Sequence, residues 1–180
     1  MELKAKLMDE AQMMRSLARM AHEIIEKTNG AENICLVGIK RRGIPLAKLL
    51  AENIRKFANV DVPVGEIDVT LHRDDLNELP SKPETVDSRI PCELKGKTVI
   101  LVDDVLYTGR TARAAMDALL DFGRPAVIRL AVLVDRGHRE LPIRPDFVGK
   151  NVPTSHEERV HVSITPTDDK NEVELYGEML

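Results

Sequence analysis

The chain has 180 residues, 43% of them hydrophobic and 31% charged, enough to bury an aliphatic core without disulfide or metal staples. Lys and Arg total 26 against 30 Asp and Glu, a net charge of −4, which excludes a general attraction to polyanions and leaves only a local basic patch for holding nucleic acid. Aromatic residues are 3% of the chain, which argues against stacking platforms for single strands.

The N-terminal MELKAKLMDEAQ lacks the apolar stretch of a leader, and no run is long and apolar enough to span a membrane. Asp9 is placed to cap a helix whose apolar positions Met13, Leu17, Met20, Ala21, Ile24 and Ile25 keep helical spacing; Asn29-Gly30 ends it. Arg15, Arg19 and His22 share its opposite side. ICLVGI (34–39) reads as a buried strand; it runs into Lys40, Arg41, Arg42 and Gly43, and IPLAKLLAENIRKFA continues as a helix. Cys35 and Cys92 stand in unrelated contexts without metal-ligand spacing, which suits a reducing cytoplasm.

VPVGEIDVTLH (62–72) alternates as a second strand. Residues 73–90 are polar, contain Pro80 and Pro83, and read as a functional or disordered loop. KTVILVDD then forms a strand that ends in Asp103 and Asp104, TARAAMDALLDFG a helix, and AVIRLAVLVD (126–135) a strand. The alternation predicts an α/β fold, a mostly parallel central sheet flanked by helices, in one domain over 1–180. The runs VHVSI and EVELYG suggest a small C-terminal β appendage.

In open α/β sheets ligands bind beyond the C-terminal strand ends. Three of those ends are polar here: KRRG after Ile39, the Asp pair after Val102, and DRGHR after Val134. Thr108, Gly109, Arg110 and Thr111 open a helix, where free N–H groups and the helix dipole favour an anion; an ordinary N-cap is the other reading. A P-loop is excluded, because Ile44 stands where Lys is required. Asp103 and Asp104 would be costly to bury unpaired. They are either salt-bridged and solvated, or they accept hydrogen bonds from sugar hydroxyls beside a hard divalent ion such as Mg²⁺.

The run VILVDDVLYTGRT resembles the phosphoribosyl pyrophosphate (PRPP) signature of type I phosphoribosyltransferases. That resemblance implies that Asp103 and Asp104 hold the ribose hydroxyls as the catalytic pair. It implies that Val105, Leu106, Tyr107, Thr108, Gly109, Arg110 and Thr111 form the 5′-phosphate loop and that Lys40, Arg41, Arg42 and Gly43 hold pyrophosphate. It also implies Mg²⁺ brought by the substrate rather than held directly by the protein. Arg73 is expected either to meet pyrophosphate when the loop closes or to be a solvated loop charge. Purine-specific relatives usually carry Asp where this chain has Tyr107, which favours a pyrimidine.

GIKRRG, GEIDVTLHRDDL and LAVLVDRGHRELPIRPDFVGKNVPTS extend the resemblance to the PyrR family of pyrimidine operon attenuation regulators that are also uracil phosphoribosyltransferases. That family implies uracil, UMP and UTP as ligands, an mRNA leader hairpin as partner, and a homodimer or higher homo-oligomer. Arg19, His22, Arg139, Arg144 and Lys150 match its basic positions for RNA, and Arg136 and Val160 are the candidates for the base pocket. Two other readings stand beside this one: a uracil phosphoribosyltransferase without an RNA role, and a non-catalytic nucleotide-sensing relative.

Overall fold

The structure, a computed structural model, describes residues 1–72 and 87–178, so Arg73 lies outside the described residues. Five strands make a parallel sheet: β2 (Ile34–Ile39), β3 (Val64–Ile67), β4 (Thr98–Leu106), β5 (Val127–Asp135) and β6 (Phe147–Asn151), in the order β3-β2-β4-β5-β6. A second, antiparallel sheet has β1 (Glu2–Met8), β8 (Glu172–Gly177) and β7 (Arg159–Ser163) in that order. The α/β class and the small β appendage expected from the sequence are both present.

Helix α1 (Glu10–Lys27) begins at a reciprocal cap. The Asp9 carboxylate accepts the Gln12 N–H at 2.8 Å and the Gln12 side chain accepts the Asp9 N–H at 2.9 Å. Its apolar stripe and that of α2 (Gly43–Ala58) bury Met13, Leu17, Met20, Ile24, Leu46, Leu50 and Ile54 against Leu36, Ile100, Val102 and Leu133 of the sheet. Each large aliphatic side chain so buried contributes about 1.5–3 kcal/mol. Helix α3 (Arg110–Leu120) covers the other face, where Ala112, Ala115 and Leu119 pack with Val99, Leu101 and Val132.

Three differences from the sequence reading matter for the site. Strand β4 does not stop at the carboxylates: Asp103 pairs with Val132, Val105 with Val134 and Leu106 with Asp135. The second expected strand contracts to β3, because the Asp68 side chain accepts the Thr70 N–H and hydroxyl and turns the chain into one 3-10 turn at Thr70–His72. FVGKN, read as tail, becomes the edge strand β6 alongside β5.

Candidate active site and basic face

Successive residues of a strand face opposite sides. Val99 and Leu101 face α3 while Ile100 and Val102 face α1 and α2, so Asp103 falls on the α3 side and Asp104 on the α2 side. The backbone anchors both carboxylates: Asp103 Oδ1 accepts the Asp104 N–H at 2.9 Å and Asp104 Oδ1 accepts the Val105 N–H at 2.8 Å. The central strand therefore delivers one carboxylate to the loop after β4 and one to the loop after β2.

On the α3 side lies a cavity of about 420 Å³, lined by Asp103 and the run Val105 to Ala112, with Leu130 and Val132 beneath and Glu140 at one edge. Gly109 is the N-cap of α3 with φ +93, a conformation glycine adopts without strain, and no side chain caps the helix from that position. Thr108 stands one residue earlier, its hydroxyl accepting the Arg110 N–H at 3.3 Å. The loop therefore brings the N-terminus of α3 and two threonine hydroxyls to one cavity, an arrangement suited to a phosphate.

On the α2 side, a Cβ on Gly43 would stand 2.2 Å from the Val102 carbonyl oxygen, so only glycine lets α2 start against β4. Arg42 precedes it, donating from Nε and Nη2 to the two Asp168 oxygens at 3.1 and 3.0 Å. The Asp168 bond, with the charge of Asp104 adding to it, raises the Arg42 pKa. Lys40 lies 3.4 Å from Asp87, and the Lys40–Arg41 peptide is cis. A second cavity of about 460 Å³ is bordered by Lys40, Arg41 and Lys48. Cationic chemistry thus stands across the end of β4 from the Thr108–Thr111 loop.

Arg136 is 7% exposed and lies over the Tyr107 ring, 4.0 Å from its centre. Its Nε donates to Thr154 Oγ1 at 3.1 Å and its Nη2 to the Ser155 carbonyl at 3.0 Å. Burial lowers its pKa, and the nearby Tyr107 and Glu158 oppose that shift. Val160, the other residue expected at the base, packs on the larger core and does not line the 420 Å³ cavity. Sequence reading missed His138 and His156, whose ring nitrogens lie 3.1 Å apart with His138 edge-on to Tyr107. The DRGHR run marked His138, but nothing in the sequence joined it to His156.

The Asp103 and Asp104 carboxylates supply hard oxygen donors of the kind Mg²⁺ takes. Among the described residues no three His, Cys, Asp or Glu side chains converge to hold an ion by themselves, so this donor set fits Mg²⁺ that carries phosphate and water ligands of its own.

The basic residues divide. Arg19, Arg15 and Lys150 line one groove between α1 and β6, where Arg19 donates to the Gly149 carbonyl at 2.6 Å and Lys150 to the Leu7 carbonyl at 3.2 Å. His22 stacks on Phe57 with ring centres 3.8 Å apart. Arg139 and exposed Arg144 line a different cavity, in the loop before β6.

Comparison with known proteins accords with this geometry. The model of the phosphoribosyl transferase domain matches residues 5–163. A bifunctional protein PyrR from Thermus aquaticus is 58% identical over 176 residues, spanning 98% of this chain and 97% of its own. One from Clostridium perfringens is 57% identical, with 98% and 99% covered. The chain belongs to the PyrR family of phosphoribosyltransferases. Solved structures share this chain's fold at low identity. A hypoxanthine phosphoribosyltransferase from Trypanosoma cruzi has a TM-score of 0.74 at 20% identity, covering 96% of this chain and 95% of that one. A hypoxanthine-guanine phosphoribosyltransferase from Bacillus anthracis has 0.69 at 20%, covering 97% and 98%. The family resemblance carried by VILVDDVLYTGRT and the DRGHR segment is therefore borne out.

Proposed function

We propose that the protein transfers the phosphoribosyl group of PRPP to uracil, forming UMP and pyrophosphate, and that it is a uridine-nucleotide-dependent RNA-binding regulator acting by transcriptional attenuation of pyrimidine biosynthesis genes. One observation carries the first half: Asp103 and the Thr108–Thr111 loop share one cavity, while Asp104 and Arg42 stand on the other side of the same strand. A ribose lying across the end of β4 meets a carboxylate from each side, its 5′-phosphate over Gly109 and its pyrophosphate towards Lys40, Arg41 and Arg42.

In the reaction the bond from the anomeric carbon to pyrophosphate breaks, a bond to a uracil ring nitrogen forms, and that nitrogen gives up its proton. Positive charge builds on the sugar as negative charge leaves, so positioned carboxylates and cations lower the barrier without a nucleophilic side chain. Mg²⁺ arriving with PRPP would neutralise part of the pyrophosphate charge. The buried Arg136–Tyr107 stack is our candidate for one wall of the base site, with Val160 in support from β7. Arg73 remains the candidate for meeting pyrophosphate.

For RNA, the groove holding Arg15, Arg19 and Lys150 supplies a local basic surface on an acidic chain, with exposed Arg144 nearby in sequence. A second reading, the transferase without an RNA role, draws support from one fact: Arg19, His22 and Lys150 already have partners within the chain. We place the protein in the cytoplasm as a homodimer or larger homo-oligomer. Both cysteines are free thiols, and among the described residues no helix is long and apolar enough to cross a membrane.

Uracil, PRPP and Mg²⁺ should yield UMP, and Asp104→Asn should lose most of that rate. Absence of UMP from the parent protein would end both enzyme readings.

A further inference from the structure

Arg139 carries a charge that the family resemblance gave to RNA, yet each of its guanidinium nitrogens is engaged within the chain. Nη1 donates to the Tyr107 carbonyl at 2.8 Å, Nε to the Ile143 carbonyl at 2.8 Å and Nη2 to Asp135 at 2.6 Å. Its side chain is 22% exposed. The next two residues continue the grip: the Glu140 and Leu141 N–H groups both donate to the Thr108 carbonyl, at 2.9 and 3.1 Å. A Cβ built on Gly109 would rest at contact distance from Ile143, Leu141 and Arg139, 3.4 to 3.6 Å away. The phosphate loop is thus seated directly on the segment 139–143.

This seating has a chemical direction. In a planar trans peptide the carbonyl of one residue and the N–H of the next point opposite ways. The Tyr107–Thr108 and Thr108–Gly109 bonds are not among the cis peptides of the chain. Drawing the Tyr107 carbonyl onto Arg139 therefore turns the Thr108 N–H away from the segment, and holding the Thr108 carbonyl turns the Gly109 N–H the same way. Thr108 and Gly109 both line the 420 Å³ cavity.

We propose that Arg139 is a positioning residue for phosphate binding: it grips the Tyr107 carbonyl and so aims the Thr108 N–H, the first donor of the Thr108–Thr111 loop, at the 5′-phosphate of PRPP and UMP. The proposal rests on the transferase reading and adds to it a role for a side chain that touches no substrate. Amides oriented before the ligand arrives hold an anion without a cost of reorganisation.

The test is steady-state kinetics on full-length Arg139→Gln and Arg139→Lys, with folding checked by thermal unfolding. Hydrogen bonds from a charged group set the expected size: the KM for PRPP rises roughly ten- to a hundred-fold in Arg139→Gln. The KM for uracil and kcat stay within about three-fold of the parent, a split that general loosening would not produce. Arg139→Lys keeps a charge beside Asp135 but lacks the planar fork, so its KM for PRPP falls between those of the parent and Arg139→Gln. Should Arg139→Gln fail to fold, the Lys variant alone decides. An unchanged KM for PRPP in a folded variant overturns the proposal, as does a loss confined to kcat. Calorimetry with ribose 5-phosphate separates this from failure of the transferase reading. A parent that makes no UMP defeats that reading, while weaker ribose 5-phosphate binding in the variants still supports Arg139 and unchanged binding still refutes it.

Discussion

The guanidinium of Arg136 lies 4.0 Å from the centre of the Tyr107 ring, and both residues follow directly from the ends of the paired strands β4 and β5. A buried cation over an aromatic face contributes about 2 kcal/mol. Two further bonds, to Thr154 and Ser155, tie this stack to the chain just before β7. Removing the cation therefore loosens the wall proposed for the base. Arg136→Gln is expected to raise the KM for uracil about ten-fold, with a smaller change in the KM for PRPP, by initial-rate kinetics.

Arg42 and Asp168 connect the loop after β2 to the segment between β7 and β8. The Arg42 guanidinium lowers the Asp168 pKa, and the Ile164 N–H adds to the effect. A folded-state pKa below the unfolded value means stability that is present above the unfolded value and is lost as pH falls through the folded one. Asp168→Asn should cost about 1 kcal/mol at pH 7, and the difference from the parent should shrink below the ordinary Asp range. Urea unfolding at pH 7 and in acid measures both. An equal cost at both pH values would refute the linkage.

Lys170 and, from β1, Lys6 both reach Glu172 on β8 and push its pKa down to about 2 from 4.5. The stabilisation this pairing supplies is complete above about pH 4.5 and disappears as pH falls towards 2. Glu172→Gln should flatten the acid limb of a plot of thermal midpoint against pH between those values. An acid limb identical to the parent's would show that the pair contributes nothing to holding β1 in the sheet.

Strands β2 and β5 were legible because both faces are covered, which leaves unbroken aliphatic runs. Strand β1 was not: its side chains are mostly exposed, and pairing with β8 and charged partners hold it where no apolar pattern marks it. FVGKN was too short and polar to announce an edge strand, and Gly149 lies too close to the Leu133 carbonyl for any larger residue. Cys35 and Cys92, which looked unrelated, are free thiols that neighbour each other in space: burial first, then hydrogen bonding with Cys92, pushes the Cys35 thiol up to about 12. The turn at Thr108–Thr111 that opens α3 was readable from local letters, since Gly109 supplies the positive φ it needs. The fate of each cation was not, because sequence shows that Arg139 and Lys150 are charged without showing which carbonyl takes each charge.

Exposed Arg144 differs from Arg139 in this respect, and the RNA reading expects a different response from it. Arg144→Gln should weaken leader RNA binding several-fold and reduce the slope of log affinity against log salt by about 1, the signature of one lost phosphate contact. A salt slope unchanged from the parent would remove Arg144 from the interface.

In the proposed function one chain carries both a nucleotide site and an RNA surface, and the first controls the second. A ligand shifts another's affinity only through a difference in binding to the two states, and the effect is reciprocal. Filter binding of an mRNA leader hairpin from pyrimidine biosynthesis genes, with and without UMP at low salt, tests this directly. UMP should tighten hairpin binding, and the hairpin should tighten UMP binding by the same factor. Negligible affinity at low salt, or affinity that UMP leaves unchanged, would contradict it.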